Sequence, residues 1–189
     1  MRRKLMWLVL CTAALVSATL YQTQSARATP AQGFTGTTLV KGTFSEFQVF
    51  NQLTKDQLQQ LAPGFPGDTW FSFEKTKGPS DLYVQSNAWK PVNAITGVIA
   101  STGWHTHPGH SLIIVTAGTI TEYHENCTPL IHLKGDTFVD PGGDHVHIIR
   151  NESPTDLAST TAVQLVPHDP QKLNRRIDRP APDNCQSIF

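Results

Sequence analysis

The stretch that decides the fold runs from residue 103 to residue 151 and reads GWHTHPGHSLIIVTAGTITEYHENCTPLIHLKGDTFVDPGGDHVHIIRN. Short runs rich in β-branched and aromatic residues alternate in it with turn signals, such as Lys134-Gly135-Asp136 and Pro141-Gly142-Gly143. Many short strands between turns predict a β-sandwich or a closed β-barrel. The stretch also holds seven of the eight histidines of the chain.

Two histidine pairs with the same spacing are the strongest chemical signal in this stretch. His105 and His107 are separated by one residue, so both imidazoles leave the same face of a strand. His145 and His147 repeat the spacing on a later predicted strand. Three imidazoles from two strands can hold a divalent metal ion and leave coordination positions open for water or substrate. The spacing leaves His145 and His147 as alternatives for the third ligand.

The regions outside this stretch also read as strands, with one short helix. The helix is predicted from Thr54, because Thr54 and Gln57 form a capping box and Pro63-Gly64 ends the apolar edge. No other segment has a helical period. The predicted strands are 37–50, 69–75, 81–90, 95–100, 111–117, 119–124, 130–133, 137–140, 145–150 and 161–166.

The order of these motifs resembles the cupin superfamily. The pattern His105-x-His107-x3-Ser111-x6-Gly118 is similar to the first cupin motif. The pattern Gly135-x5-Pro141-x-Gly143, followed by His147-x3-Asn151, is similar to the second. The chain looks like a small exported bacterial cupin over roughly residues 81–167. The resemblance implies an all-β fold, an antiparallel cupin-type double-stranded β-helix (jelly-roll) barrel, with one metal ion inside its wider mouth.

The resemblance also suggests which residues bind the metal ion. The register His147-x3-Asn151 favours His147 as the third ligand. His145 would then lie beside the ligands or serve as an alternative ligand. Ser111 stands where many cupins carry a metal-binding glutamate. Because a serine hydroxyl is a poor ligand, we expect His105, His107 and His147, completed by water, to hold one divalent ion of Fe, Mn, Ni, Cu or Zn. Glu122, on the next strand, is the candidate general base. We expect His110 to face outward or to line the rim, and His124, His132 and His168 to occupy surface positions or positions with a satisfied polar partner.

The N-terminus has the pattern of a signal peptide. Basic residues at 2–4 precede an apolar run over residues 5–20, and Ala26-Arg27-Ala28 offers a cleavage site after Ala28. The alternative is a retained membrane anchor, but the run is shorter than the roughly twenty residues that span a bilayer. We therefore predict export to the periplasm or the medium. The predicted organisation is a signal peptide 1–28, an N-terminal extension 29–80, a cupin barrel 81–170 and an irregular C-terminal tail 171–189.

The charge and the cysteine content of the mature chain limit the partners and the compartment that we expect for it. Removal of the leader leaves 11 basic and 15 acidic residues, which argues against a nucleic-acid or polybasic membrane surface. Cys127 and Cys185 remain, and in an oxidising compartment they predict one disulfide, with two unrelated thiols as the alternative. The arginines before Pro180 predict a solvated surface rather than a binding patch.

Three functions fit the sequence. The first is a mononuclear metal dioxygenase or related oxidoreductase, similar to quercetinase-like cupins, acting on a small organic substrate. The second is a non-catalytic cupin that captures a small ligand or a metal, which the missing glutamate favours. The third is a structural barrel. The family resemblance also implies a homodimer.

Overall fold

The computed structural model describes residues 28–67, 69–169 and 175–188, and strands dominate this part of the chain. Most strands are short, and the longest, β1, β4 and β12, build one sheet. The elements are β1 Phe34–Phe44, β2 Gln48–Leu53, α1 Lys55–Leu61, β3 Trp70–Lys75, β4 Ser80–Trp89, β5 Ala100–Ser101, β6 His105–Thr106, β7 Ser111–Ala117, β8 Thr119–Tyr123, β9 Pro129–Leu133, β10 Thr137–Asp140, β11 Ile148–Asn151, β12 Ala158–Pro167, β13 Ile177–Asp178 and the 3₁₀ helix Asp183–Cys185.

Two antiparallel sheets form the body of the fold. The larger has the strand order β1-β4-β12-β7-β10, and the smaller has the order β5-β11-β8-β9. One apolar core joins both sheets, because it combines residues of β4, β7 and β12 with residues of β5, β8 and β11. Except for the consecutive pair β8-β9, neighbours in these two sheets are not consecutive in sequence, which is the arrangement of a double-stranded β-helix. The predicted all-β, antiparallel cupin-type fold is confirmed.

Buried and exposed residues alternate along the strands, and this alternation shows which side chains face the interior. In β7, Ser111, Ile113 and Val115 are buried, whereas the residues between them are exposed. In β12, every second residue from Ala158 to Val166 is buried. Because side chains leave a strand on opposite faces in turn, this period of two sends one set into the barrel. Ser111 and Gln164 therefore point inward although they are polar.

One predicted strand, 95–100, is wrong except at its last residue. The Asn93 side chain accepts hydrogen bonds from the backbone N–H groups of Ile95 and Thr96 at 3.0 and 2.9 Å. Such a local turn competes with strand pairing, because it uses the N–H groups that a ladder would need. The structure has only the short β5 here, at Ala100–Ser101.

The N-terminal part of the chain contributes to the larger sheet. Strand β1 pairs with β4 from Phe34–Trp89 to Phe44–Ser80. Helix α1 lies where the capping box predicts it, and the Thr54 N–H donates to Gln57 Oε1 at 2.9 Å. The predicted domain boundaries remain predictions, and residues 1–27 of the predicted leader lie outside the described residues. Across the described ranges, the helices are too short or too polar to cross a bilayer.

The C-terminal segment lies along the barrel and is fixed there by a disulfide. Cys127 and Cys185 are bonded, with Cα atoms 5.6 Å apart. Strand β13 pairs with β6, and the Trp104 indole N–H donates to the Ile188 carbonyl at 2.7 Å. Trp104 is completely buried in a second core, which also contains Ile148, Ala181 and Cys185. The disulfide thus joins the segment after β8 to the end of the chain.

Loss of this disulfide should lower the stability of the fold. The closed loop has a sequence separation of 58, so the double variant Cys127→Ser/Cys185→Ser should lose up to about 4 kcal/mol of unfolding free energy. Urea unfolding followed by tryptophan fluorescence measures this. Wild-type protein treated with a thiol reductant is the matched control and should unfold at the urea concentration of the variant. Equal midpoints for the oxidised wild type and the variant would show that the bond adds no stability.

Candidate metal centre

A backbone pair joins the two histidine motifs. The His105 N–H donates to the His147 carbonyl at 2.9 Å, and the His147 N–H donates to the His105 carbonyl at 3.0 Å. This antiparallel bridge places the two rings with their centroids 4.5 Å apart. The His107 ring lies 4.8 Å from that of His105. One ring nitrogen from each of the three histidines lies within 4.8 Å of the others, so the group could hold a metal ion.

The turns of the two motifs are also fastened together. The Gly143 N–H donates to the His107 carbonyl, and the Thr106 hydroxyl donates to the Gly143 carbonyl, both at 2.7 Å. Gly142 has φ +67°, and a Cβ there would collide with the Gly109 carbonyl oxygen. Only glycine adopts this positive φ and leaves the space free at low cost. The turn after β10 therefore packs directly against the His107 segment.

Each ring of the group is oriented by a hydrogen bond at Nδ1. The Nδ1 atom of His105 contacts the Gly103 carbonyl at 2.9 Å, and that of His107 contacts the Arg175 carbonyl. The Nδ1 atom of His147 contacts Glu122 Oε1 at 2.7 Å. Carbonyls and carboxylates accept hydrogen bonds, so in the neutral rings Nδ1 carries the proton and Nε2 keeps its lone pair. Metal-bound histidines have this arrangement, with the second nitrogen held by an acceptor.

Burial keeps two of these imidazoles neutral. Desolvation lowers the pKa of His105 well below its usual range, and the neighbouring His147, Arg176 and His107 lower it further. The pKa of His107 is lowered as well, chiefly by burial. A neutral imidazole is the form that binds metal, so these rings are ready for ligation at neutral pH.

Glu122 orients His147 and is not placed as the general base that the sequence suggests. It is buried on β8 and contacts His147, while its Oε2 contacts His132 Nε2 at 3.1 Å. Burial alone would raise the pKa of Glu122, but the hydrogen bond from His147 and the contacts of His124 and His132 lower it overall. The carboxylate is therefore ionised. Glu122 does not line the cavity beside the histidines.

Asp140 is the acidic residue of the site that the sequence analysis missed. It ends β10 and is 1% exposed. Its Oδ2 lies 3.5 Å from His107 Nε2 and 3.7 Å from His147 Nε2. The strand register places Asp140 directly opposite Ser111 on β7. Its position just before Pro141, inside the second motif, could have indicated a residue near the site. Only the pairing of β10 with β7 shows that its side chain faces the histidines.

A cavity of about 290 Å³ opens beside the three rings. Its volume is at the lower end of the range of small-molecule sites. The lining is mixed and combines polar amides with apolar side chains. The amides are Gln85, Asn87 and Gln164, and the apolar residues include Phe34, Ile113 and Ile149.

The C-terminal arginines contribute to this cavity, which corrects the prediction of a solvated surface. Arg175 and Arg176 both line it. The Arg175 guanidinium lies over the Tyr83 ring, 4.1 Å from its centroid, and donates to Gln85 at 3.2 Å. Arg176 donates to the Thr102 carbonyl and pairs with Asp178. The sequence could not show this, because the approach of the tail depends on the pairing of β13 with β6 and on the disulfide.

The remaining histidines do not belong to the three-histidine group, although the His124 ring stacks 6.1 Å from that of His147. His145 is exposed and does not belong to the three-histidine group, so the preference for His147 as third ligand stays a prediction. His110 is half-buried and lies 3.7 Å from Glu74 at the rim. His168 contacts Asp81 at 2.9 Å. His124 and His132 lie 3.6 and 3.1 Å from Glu122, so each has a polar partner, which is one of the two positions that the sequence predicts.

No protein-family model and no curated protein matches the sequence, but several solved structures are similar to it. A cupin-like protein of known structure from Thermotoga maritima is 16% identical, with 74% of this chain and 80% of that chain covered and a TM-score of 0.41. A cupin superfamily protein from Desulfitobacterium hafniense is 10% identical, with 45% and 67% covered and a TM-score of 0.37. The DMSP lyase from Ruegeria pomeroyi is 17% identical, with 54% and 44% covered and a TM-score of 0.40.

All three of these structures are less than 25% identical to this chain. Their TM-scores lie below 0.5, so the fold is assigned from the strand order and register of this chain alone. Fold and site together define the class: an antiparallel barrel of the cupin type with a three-histidine group that could hold a metal ion.

The donor set fits a divalent transition metal. Three neutral imidazoles suit Fe, Mn, Ni, Cu and Zn. Nε2 of His147 and Oδ2 of Asp140 are buried and have no hydrogen-bond partner among the described residues. Buried polar atoms normally have partners, so two that face each other indicate a ligand between them. Because two nitrogens bound at about 2.1 Å cannot be more than about 4.2 Å apart, the rings must close slightly around an ion.

Removal of one ligand should abolish metal occupancy. Untagged protein purified without chelator should carry close to one metal ion per chain, and His107→Ala should carry close to none. His168→Ala is the matched control and should keep the wild-type content, since its ring pairs with Asp81 away from the group. Elemental mass spectrometry measures the content, and circular dichroism checks that the variants fold. An equal loss in both variants would contradict the ligand assignment.

Proposed function

We propose that this chain is an exported metal-dependent oxidoreductase of the dioxygenase type, acting on a small organic substrate. His105, His107 and His147 would hold one divalent ion, and the adjoining cavity would hold the substrate. The observation that carries the proposal is the set of three Nε2 lone pairs, each freed by an acceptor at Nδ1, beside a cavity of about 290 Å³. Three protein nitrogens leave coordination positions open for substrate and dioxygen.

The bound metal would act as a Lewis acid and as the centre for one-electron chemistry. The protein contributes position and polarity. The amides of Gln85, Asn87 and Gln164 can hydrogen-bond a polar group of the substrate, and Gln164 Oε1 has no partner among the described residues. Phe34 and Ile113 can pack against its apolar part. The mixed lining thus fits a small molecule that has both polar and apolar groups.

The second candidate is a non-catalytic cupin that binds a metal or a small ligand. It is favoured by the scarcity of acid–base groups, since Asp140 is the only carboxylate among the cavity residues described. If that carboxylate is engaged with the metal, no second acidic group remains there to take a proton from the substrate. Nothing in the geometry favours a purely structural barrel over these two.

Oxygen consumption distinguishes the two candidates. Protein reconstituted separately with Fe(II), Mn(II), Ni(II) and Cu(II) should consume oxygen with at least one member of a panel of flavonoids and catechols. His107→Ala, treated in the same way, should show only the background rate of free metal. Activity should rise with metal occupancy and saturate at one ion per chain. A fully loaded wild type that consumes no oxygen with any substrate would favour the binding protein.

The proposal places the protein outside the cytoplasm. The leader pattern of residues 1–28 supports export, and so does the Cys127–Cys185 disulfide, because disulfides persist in oxidising compartments. The partner of the site is a small molecule. The excess of acidic residues after the leader argues against a nucleic acid as a partner.

A homodimer is also proposed, through the outer face of the larger sheet. One apolar residue from each of the five strands lies in a row across this face, in the order Val40, Val84, Val163, Leu112 and Val139. Leu112 and Val139 are 54% and 57% exposed. Strands about 4.8 Å apart give the row a length of about 20 Å. A second copy brings an identical face, and a twofold axis lets the two cover each other.

Charge on this face should separate the two copies. Leu112→Glu should shift the protein from dimer to monomer, because a carboxylate buried in an apolar interface is strongly unfavourable. Light scattering coupled to size exclusion measures the mass. Lys90→Glu adds negative charge at an exposed position at the end of β4 and should leave the dimer intact. A wild type that is monomeric at micromolar concentration would refute the dimer.

A further inference from the structure

Asp140 presents one oxygen atom to the histidine group, and this atom has no other visible role. Its Oδ1 accepts a hydrogen bond from the Gly142 N–H at 2.9 Å, which fixes the side chain. Its Oδ2 is buried and has no hydrogen-bond partner among the described residues. It lies 3.5 Å from His107 Nε2 and 3.7 Å from His147 Nε2. The turn that follows β10 thus holds the carboxylate in place and directs Oδ2 toward the rings.

The three facing atoms repel one another unless a positive charge lies between them. Because the Nδ1 atoms of His107 and His147 contact acceptors, the neutral rings turn their Nε2 lone pairs toward Asp140. Asp140 Oδ2 also offers only lone pairs. Two of these three acceptors, His147 Nε2 and Asp140 Oδ2, are buried and have no hydrogen-bond partner among the described residues, which is unfavourable for the protein alone. A bound cation satisfies all three.

The neighbouring strand explains why this carboxylate is needed. Ser111 is the cross-strand partner of Asp140, and its hydroxyl is buried and also without a hydrogen-bond partner in the described part of the chain. Ser111 occupies the motif position at which the resemblance implies a carboxylate ligand. Directly opposite residues of an antiparallel pair have Cβ atoms about 5 Å apart, so their side chains can reach the same point. A carboxylate on β10 can therefore replace one on β7.

We propose that Asp140 Oδ2 is the fourth protein ligand of the metal, supplied by β10 in place of the carboxylate that β7 lacks. The inference rests on the proposed three-histidine site and extends it. It changes the predicted shell from three histidines and water to three histidines, one aspartate and water. The carboxylate lowers the net charge of the site by one and adds an oxygen ligand, which favours Fe(II) and Mn(II) more than a shell of nitrogen alone would. It also links the ion to the larger sheet through β10.

The test compares metal affinity across a set of matched variants. Calorimetric titration with Mn(II) should give an affinity at least about tenfold weaker for Asp140→Asn than for the wild type, while Zn(II), which three imidazoles hold well, should lose less. The Mn(II) electron paramagnetic resonance spectrum should change in the same variant. Asn keeps the shape of the side chain and an oxygen for the Gly142 N–H, so circular dichroism should show an unchanged fold.

A swap of the carboxylate across the strand pair makes the test specific. Asp140→Ala/Ser111→Glu should recover Mn(II) affinity to within a few fold of the wild type, whereas Asp140→Ala/Ser111→Ala should not. Equal Mn(II) affinity of wild type and Asp140→Asn would overturn the inference and leave the three-histidine site standing. The same applies if Asp140→Asn lowers only the melting temperature of the metal-free protein, which would show an ion pair with histidine. A wild type that binds neither metal would instead refute the proposed function itself.

Discussion

The reciprocal backbone pair between His105 and His147 is the constraint on which the site depends. The two residues are far apart in sequence, yet their N–H and carbonyl groups bind each other at 2.9 and 3.0 Å. Side chains of directly opposite residues leave on the same face, so this pair alone brings two rings together. His107 follows because it is two residues beyond His105 and has its own carbonyl bound by Gly143. A shift of one residue in this pairing would turn the rings out of the barrel.

The orientation of the rings is a second requirement, and the protein meets it with three different acceptors. His105 uses the nearby Gly103 carbonyl, His147 uses Glu122 on β8, and His107 uses the Arg175 carbonyl from the C-terminal segment. The first is local, the second crosses the smaller sheet, and the third depends on β13. The ligand group is therefore connected to the most distant part of the chain. The disulfide at Cys185 and the buried Trp104 stabilise the same segment.

Periodicity in the sequence predicts most of the strands and places His105 and His107 on one face, because both follow from local rules, whereas the choice of the third histidine needs the motif register. Two residues at spacing i, i+2 share a face of any strand, so the sequence alone identifies His105 and His107 as a pair. The register of the second motif favours His147 over His145. The strand predicted at 95–100 fails because the Asn93 side chain binds the N–H groups that follow it. A pattern of apolar residues does not report that competition.

The residues that the sequence did not reveal have in common that their roles depend on long-range register. Asp140 faces the histidines only because β10 pairs with β7, and Arg175 orients His107 through a backbone carbonyl that any residue type would supply. No motif can mark such a position by residue type. The position of Ser111 in the first motif suggested that the site lacks an acidic group. In three dimensions the strand beside it carries that group, so the chemistry of the site has to be judged from the pairing of the strands rather than from one motif at a time.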